Sequence, residues 1–207
     1  MSAAERARAI LAEARAIITG SHVVYTSGKH GSAYVNKDAV YPNTTRVAEL
    51  CRALADAAAP YRPEIVCGPA MGGIILAQWT GHHLGLPAVY AEKADGGMAL
   101  RRGYDALVAG KRVLVVEDIL NTGGSVKDAV AAVRAAGGEV VAVAALVNRG
   151  AVTAADVGVP TLVALLDVAL DAWDAAACPL CRDGVPINLD VGKGREFMAR
   201  RDAAARR

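Results

Sequence analysis

Four apolar runs between residues 64 and 150, EIVCGPA, PAVYAEK, KRVLVVED and EVVAVAALVNRG, are joined by helical patterns or glycine-rich loops. Three of them are near-continuous runs of valine, isoleucine and alanine, without the polar alternation of a half-exposed strand. Runs of this kind separated by GGIILAQWTGHHLG and SVKDAVAAVRAAGG belong to strands covered on both faces by helices. The pattern predicts an α/β fold with an open, mainly parallel sheet flanked by helices. Its 207 residues suit one domain, 1–207, and no repeat with a period of 20–50 residues is seen. The hydrophobic fraction is 54% while aromatics make up 4%, so alanine and valine must fill tightly packed layers.

Outside that pattern the chain is less regular. MSAAERARAILAEARAII reads as a helix with Ile10, Leu11, Ile17 and Ile18 on one face; its acids and missing h-region argue against a secretory signal. A small hairpin is expected from VVYT and AYV around SGKHGS, then a helix from about Thr44 to Ala59 with Thr44 or Thr45 as cap. Residues 1–43 therefore form a helix and hood. The segment 94–110, with Gly96, Gly97, Gly103 and Gly110 beside Arg101 and Arg102, reads as a mobile basic lid. After residue 159 one more strand and a helix are expected, and residues from about 192 to 207 form a flexible tail.

No apolar stretch reaches membrane-spanning length, and a net charge of +2 is too small to predict nucleic-acid or membrane binding. Four scattered cysteines do not make a disulfide framework, so a cytoplasmic compartment is expected. Cys51 and Cys67 read as buried small apolar groups. Cys178 and Cys181 form a lone CxxC, for which zinc would need two further ligands; a turn carrying two packed thiols is the preferred reading. His22 and His30 are assigned to the hood. His82 and His83, being consecutive, do not readily share a metal.

The chemistry concentrates in VLVVEDILNTGGS, Val113 to Ser125. A buried strand ends in Glu117 and Asp118 at the carboxyl edge of the sheet, where open α/β folds bind ligands. Gly123 and Gly124 let backbone N–H groups close on an anion, and Ser125 stands where a helix cap belongs, so the helix dipole favours the same anion. Paired acids beside a phosphate cradle suit a ribose 5-phosphate, whose hydroxyls carboxylates can accept from. Neither of the two commonest phosphate-loop motifs is present. GPAMGG, 68–73, opens a second helix after a buried strand. It reads equally as a further anion cradle or as a close-packed strand-to-helix turn.

VLVVEDILNTGGS resembles the phosphoribosyl diphosphate (PRPP) signature of type I phosphoribosyltransferases. The resemblance narrows to orotate phosphoribosyltransferase through HVVYTSGKHGSAYVNKD as hood, GPAMGGIILAQ as pyrophosphate loop, YAEKADGGMALRRGY as lid and ALVNRG as the arginine-bearing strand. CPLCRDGVPIN resembles one bacterial subgroup. The family moves ribosyl 5-phosphate from PRPP to orotate, with Mg2+ held mainly through PRPP and no protein metal ligand, in de novo pyrimidine synthesis. Transferred to this chain, catalysis falls to Asp118, Glu117, Lys93, Arg101 and Arg102. PRPP binding falls to Lys93, Glu117, Asp118, Ile119, Leu120, Asn121, Thr122, Gly123, Gly124, Ser125, Met71, Gly72 and Gly73. Orotate binding falls to Asn121, Arg149, Thr26, Tyr34 and Val35. A homodimer with lids shared between subunits is implied, with no nucleic-acid partner.

Three residues depart from the family pattern: Thr26 stands where many members have Lys, Asn121 where the loop usually has Thr, and Gly72 where some members have Lys. They bear on base specificity more than on PRPP binding. A purine-base transferase or a non-catalytic PRPP sensor are the alternatives.

Overall fold

A computed structural model of the chain describes residues 3–168 and 170–205. It divides into two compact units, Met1–Ile10 with Asn43–Val168, and Leu11–Pro42 with Ala169–Arg207. The opening helix, α1 (Ala3–Glu13), ends earlier than expected: Arg15 turns left-handed at φ 51°, and its N–H bonds the Ala12 carbonyl at 2.9 Å. Ile17 and Ile18 accordingly leave the helix and begin a strand, the conformation that β-branched side chains favour.

In the larger unit, α2 (Thr44–Ala58) starts from Asn43, whose Oδ1 accepts from the Arg46 N–H at 3.1 Å. The cap is one residue earlier than Thr44, and Asn is among the best residues for that place. The chain continues through β3 (Ile65–Pro69), α3 (Gly72–Leu84), β4 (Ala88–Ala94), β5 (Gly97–Ala99), α4 (Tyr104–Val108), β6 (Arg112–Leu120), α5 (Gly124–Ala135), β7 (Glu139–Asn148) and β8 (Leu162–Asp167). The sheet order is β5-β4-β3-β6-β7-β8, parallel except for the β4–β5 hairpin at one edge.

This order explains the two-sided burial. From β3 the chain crosses to β4 in one direction along the sheet, and from β6 to β7 in the other. Parallel crossovers are right-handed, so α3 and α5 cover opposite faces. The side chains follow with a period of two: Ile65, Cys67, Val113 and Val115 pack with Val126, Ala129, Val130 and Val133 of α5, and the intervening Val66, Leu114 and Val116 are also fully buried. Burial pushes the Cys67 thiol up to about 12, and Cys51 on α2 likewise.

The smaller unit contains β1 (Ile17–Val24) paired antiparallel with β2 (His30–Val35), the expected hairpin with a longer first strand. Single bridges join His30 to Trp173 and His22 to Ile187. Among residues 170–174 there is no helix; a 3-10 turn at Ala175–Ala177 precedes the short α6 (Pro179–Arg182). Gly194–Ala205, within the stretch expected to be a flexible tail, forms α7. The two thiols of the CxxC do not stand alone, since His22 and His30 lie beside them.

Candidate active site

The strand order reverses between β3 and β6, and a crevice opens at the carboxyl ends of strands where such a reversal occurs. Val89, Cys67, Val115 and Val143 share one level across four strands. Counting forward from it, the shared edge carries Lys93, the 70–73 loop, the Glu117–Asp118 pair and Arg149. The parallel registers therefore align residues separated by up to 79 positions, from 70 to 149, along one edge.

Glu117 and Asp118 are the charged groups that β6 brings to this edge, and both are buried, at 7% and 4% exposure. Glu117 Oε1 accepts from the Asp118 N–H at 3.0 Å, and Asp118 Oδ1 from the Ile119 N–H at 2.6 Å. These bonds fix the carboxyls against their own backbone. Beyond them an open cavity of about 100 Å³ is lined by Glu117, Ile119, Leu120, Asn121, Thr122, Gly123, Gly124, Ser125 and Val126. It brings together the residues of the expected PRPP loop from Ile119 to Ser125.

The helix entry differs from expectation in one detail. Gly123, at φ 75°, takes the cap position, Gly124 is the first residue of α5, and Ser125 is the second. The first-turn N–H groups of α5 thus open onto the cavity. A Cβ on Gly123 would come within 2.8 Å of Val157 Cγ1, so left-handed backbone and close packing both call for glycine here.

At the end of β3, both readings of GPAMGG find a residue. Gly68 and Gly73 are packing glycines: a Cβ on Gly68 would stand 2.0 Å from the Gly73 carbonyl oxygen, and one on Gly73 2.6 Å from Pro69 Cδ. Met71 is 81% exposed and Gly72, at the first position of α3, is half-buried. Gly73, the second residue of α3, is buried. The Ala70–Met71 peptide is cis.

The segment expected to be the lid comprises β5 and α4. Arg101 and Arg102 are exposed and pair with Glu92 on β4, at 3.8 and 3.2 Å. Lys93, the next residue, is exposed at the β4–β5 hairpin. Arg149 is half-buried just past β7, and its N–H and that of Gly150 both donate to the Leu120 carbonyl, at 2.8 and 3.0 Å. A Cβ at Gly150 would overlap the Asn121 carbonyl oxygen. The arginine turn is thereby held against the phosphate loop.

Asn148 is a residue that sequence reasoning missed. Buried at 7% exposure, it donates through Nδ2 to the Val152 carbonyl and accepts at Oδ1 from the Val152 N–H, both at 3.0 Å. It closes the turn that carries Arg149. The available signal was an amide at the end of an otherwise apolar strand.

The expected orotate residues of the hood lie in the smaller unit. Thr26 is exposed in the hairpin turn and, with Val24, Tyr25 and Gly28, lines a cavity completed by Lys193, Glu196, Phe197 and Arg200. Tyr34 is half-buried on β2. Val35 beside it is buried and packs the hairpin.

The phosphoribosyl transferase domain model matches residues 36–175. The orotate phosphoribosyltransferase of Caldanaerobacter subterraneus subsp. tengcongensis is 40% identical over 175 residues, 83% of this chain and 88% of that protein. That of Pelotomaculum thermopropionicum is 41% identical over 180 residues, 86% and 92% of the two chains. Among solved structures, the Mycobacterium tuberculosis orotate phosphoribosyltransferase in complex with PRPP aligns with a TM-score of 0.62 at 28% identity, covering 80% of this chain and 96% of that one.

Proposed function

Because this chain belongs to the orotate phosphoribosyltransferase family, we propose that it transfers the ribosyl 5-phosphate of PRPP to N1 of orotate, forming orotidine 5′-monophosphate and pyrophosphate in pyrimidine nucleotide synthesis. The observation that carries the reading is the buried Glu117–Asp118 pair at the head of the 119–126 cavity, on the strand beside the order reversal.

The mechanism is one of positioning. The N–H groups at the start of α5, with Thr122 and Ser125, hold the 5-phosphate, and Glu117 and Asp118 accept from the ribose hydroxyls. The bond from C1′ to the diphosphate oxygen breaks as the bond to orotate N1 forms, and the N1 proton leaves to solvent or to the departing pyrophosphate. Carboxylates on the ribose stabilise positive charge developing on the sugar, while Lys93, Arg101 and Arg102 neutralise the departing pyrophosphate. The start of α3, at Met71, Gly72 and Gly73, offers the second anion site. Arg149 pairs with the orotate carboxylate, a match suited to a guanidinium, and Asn121 beside it hydrogen-bonds the base.

Magnesium fits this arrangement without a protein cage. Among the described residues no group of three or more ligating side chains gathers at the cleft, and Mg2+ commonly binds through one or two carboxylates, substrate phosphates and water. When bound it neutralises diphosphate charge. Glu117 and Asp118 would hold it through water molecules of its shell.

A homodimer with lids reaching the neighbouring site is part of the proposal. Met71 and Ile75, exposed four residues apart at the start of α3, and Leu107 on α4 supply apolar surface for a second copy. A cytoplasmic location is supported by four free cysteines. No helix among the described residues is long and apolar enough to cross a membrane.

The test mixes the protein with PRPP, Mg2+ and orotate and follows orotate absorbance; no consumption at high enzyme concentration refutes the assignment. Asp118→Asn should lower kcat/KM by about 10- to 100-fold, the loss of one charged hydrogen bond. Near-normal turnover would remove Asp118 from the site.

A further inference from the structure

Four ligand atoms from opposite ends of the sequence converge inside the smaller unit. His22, His30, Cys178 and Cys181 place one nitrogen or sulfur each within 4.8 Å of all the others. Cys181 lies 151 positions from His30 and 159 from His22. We propose that these residues form a structural zinc(II) site, with His22 Nε2, His30 Nδ1 and the two Sγ atoms as its four ligands.

The distances fit a tetrahedron around one ion. With Zn–S of about 2.3 Å and Zn–N of about 2.05 Å, a tetrahedral site has N···S edges of about 3.6 Å. His22 Nε2 stands 3.6 Å from Cys178 Sγ and 3.7 Å from Cys181 Sγ, and His30 Nδ1 stands 3.4 Å from Cys181 Sγ. The two nitrogens are 2.8 Å apart, against an edge of about 3.35 Å from the same bond lengths. The remaining two edges lie within 4.8 Å, so shifts of up to about 1 Å close the figure on the ion.

The surrounding contacts favour a metal. His22 Nδ1 lies 2.7 Å from the Val185 carbonyl, which can only accept, so Nδ1 carries the proton and Nε2 presents its lone pair to the cluster. A backbone carbonyl on the far nitrogen is the usual support of a metal-bound imidazole. Backbone pairing fixes both histidines: His30 exchanges two hydrogen bonds with Trp173, at 2.7 and 2.8 Å, and the His22 carbonyl accepts from Asn188 at 2.7 Å.

A histidine–histidine hydrogen bond alone explains less. It would leave the two sulfurs crowded against the same nitrogens, and His30 Nε2 is buried without a hydrogen-bond partner. In the metal form Nδ1 is occupied by the ion and Nε2 carries the proton, with the Phe197 ring packed edge-to-face on His30 at 4.8 Å.

Two thiolates with two imidazoles, closed and four-coordinate, are the donor set of structural zinc and leave no open position for catalysis. His22, His30 and Cys178 are buried at 0–2% exposure, whereas Cys181 is exposed and provides the entry path. Binding is balanced by release of the two thiol protons to solvent, so the ion's two charges meet two thiolates and the site is formally neutral. The ion ties the β1–β2 hairpin to the segment around α6. The pair read from the sequence as packed thiols thus acquires the two further ligands it needed.

The test uses the full chain prepared with excess zinc and desalted. One tightly held zinc per chain is expected, with removal by a strong chelator lowering the melting temperature. Cobalt(II) added to the metal-free protein should give thiolate charge-transfer and tetrahedral visible bands and release two protons per ion. Cys181→Ser, at the exposed ligand, should weaken cobalt binding by more than about 100-fold, since even changes behind the ligands cost 10- to 100-fold. Absence of both retained zinc and the cobalt charge-transfer band in the wild-type chain would overturn the proposal, whatever the variants do. So would an unchanged band in Cys181→Ser, or a Cys178–Cys181 disulfide in protein isolated without oxygen. None of these readouts depends on orotate turnover.

Discussion

Replacing Asn148 by Ala separates the two tasks assigned to the end of β7. The side chain makes two hydrogen bonds to Val152, at 3.0 Å each, and both residues are 7% exposed. Truncation leaves the Val152 N–H and C=O without partners. Each buried orphan costs about 1–3 kcal/mol. Gly150 and Ala151 within the turn are exposed, so water can reach part of the gap, and about 2–3 kcal/mol in total is expected. At this chain length that lowers the melting temperature by about 4–12 °C. The start of the turn stays anchored, because Arg149 and Gly150 still donate to Leu120. What loosens is the return path that aims Arg149. The variant should therefore raise KM for orotate several-fold while KM for PRPP changes little. Urea unfolding with an unchanged m-value reports the first effect and steady-state kinetics the second. A stability loss below about 0.5 kcal/mol, or equal rises in both KM values, would refute the reasoning.

Gly68→Ala should destabilise by about 3 kcal/mol or more, beyond the middle of the range for overpacking, because the new Cβ would stand 2.0 Å from a backbone oxygen; thermal unfolding checks it, and a drop below 1 kcal/mol would deny the close strand-to-helix contact. Arg102→Ala should leave stability within about 0.5 kcal/mol, since an exposed ion pair contributes little, yet lower kcat at least about tenfold if the lid acts in the transition state. The Cys51 and Cys67 thiols, held up to about 12 by burial, should resist alkylation in the native protein at pH 8 and react once it is unfolded. Above about pH 9 the unfolded chain loses these thiol protons while the folded one keeps them, so stability should fall as pH rises toward 12; a flat stability profile across that interval would show the thiols to be accessible.

The legible parts of this molecule were those written in local periodicity. Strands such as Val113–Val116 are apolar on successive residues because helices cover both faces, and that signal needs no knowledge of the neighbours. The Glu117–Asp118 pair and the loop after it were equally visible, since strand, acids, glycines and helix start are contiguous. Boundaries were less so. Nothing in ARAII announces that Arg15 will turn left-handed and release Ile17 and Ile18 into a strand, because the same residues satisfy a helical face until tertiary pairing with Val35 and Tyr34 decides. The Cys2His2 cluster was invisible for another reason: zinc ligands are usually recognised by close spacing, and here more than 150 residues part Cys181 from either histidine.

Charge at the sheet edge follows a logic that the net charge of +2 conceals. PRPP and orotate are both anionic, yet β6 carries two buried acids near its carboxyl end, and Glu117 lines the cavity. In the proposed reaction the acids suit the neutral part of the ligand, the ribose, where charge becomes positive as the diphosphate departs. Cations are needed on either side, and the edge supplies them at Lys93 and Arg149. Arg101 and Arg102 rest on Glu92, whose side chain is 24% exposed while theirs are 58% and 60%. Pairs that open to solvent contribute about 0–1 kcal/mol, so exchanging Glu92 for a diphosphate oxygen in a closing lid costs little, and the charge-assisted bonds gained to phosphate exceed it. On the proposed function, Glu92 would keep the two arginines together at little cost to their transfer onto a diphosphate.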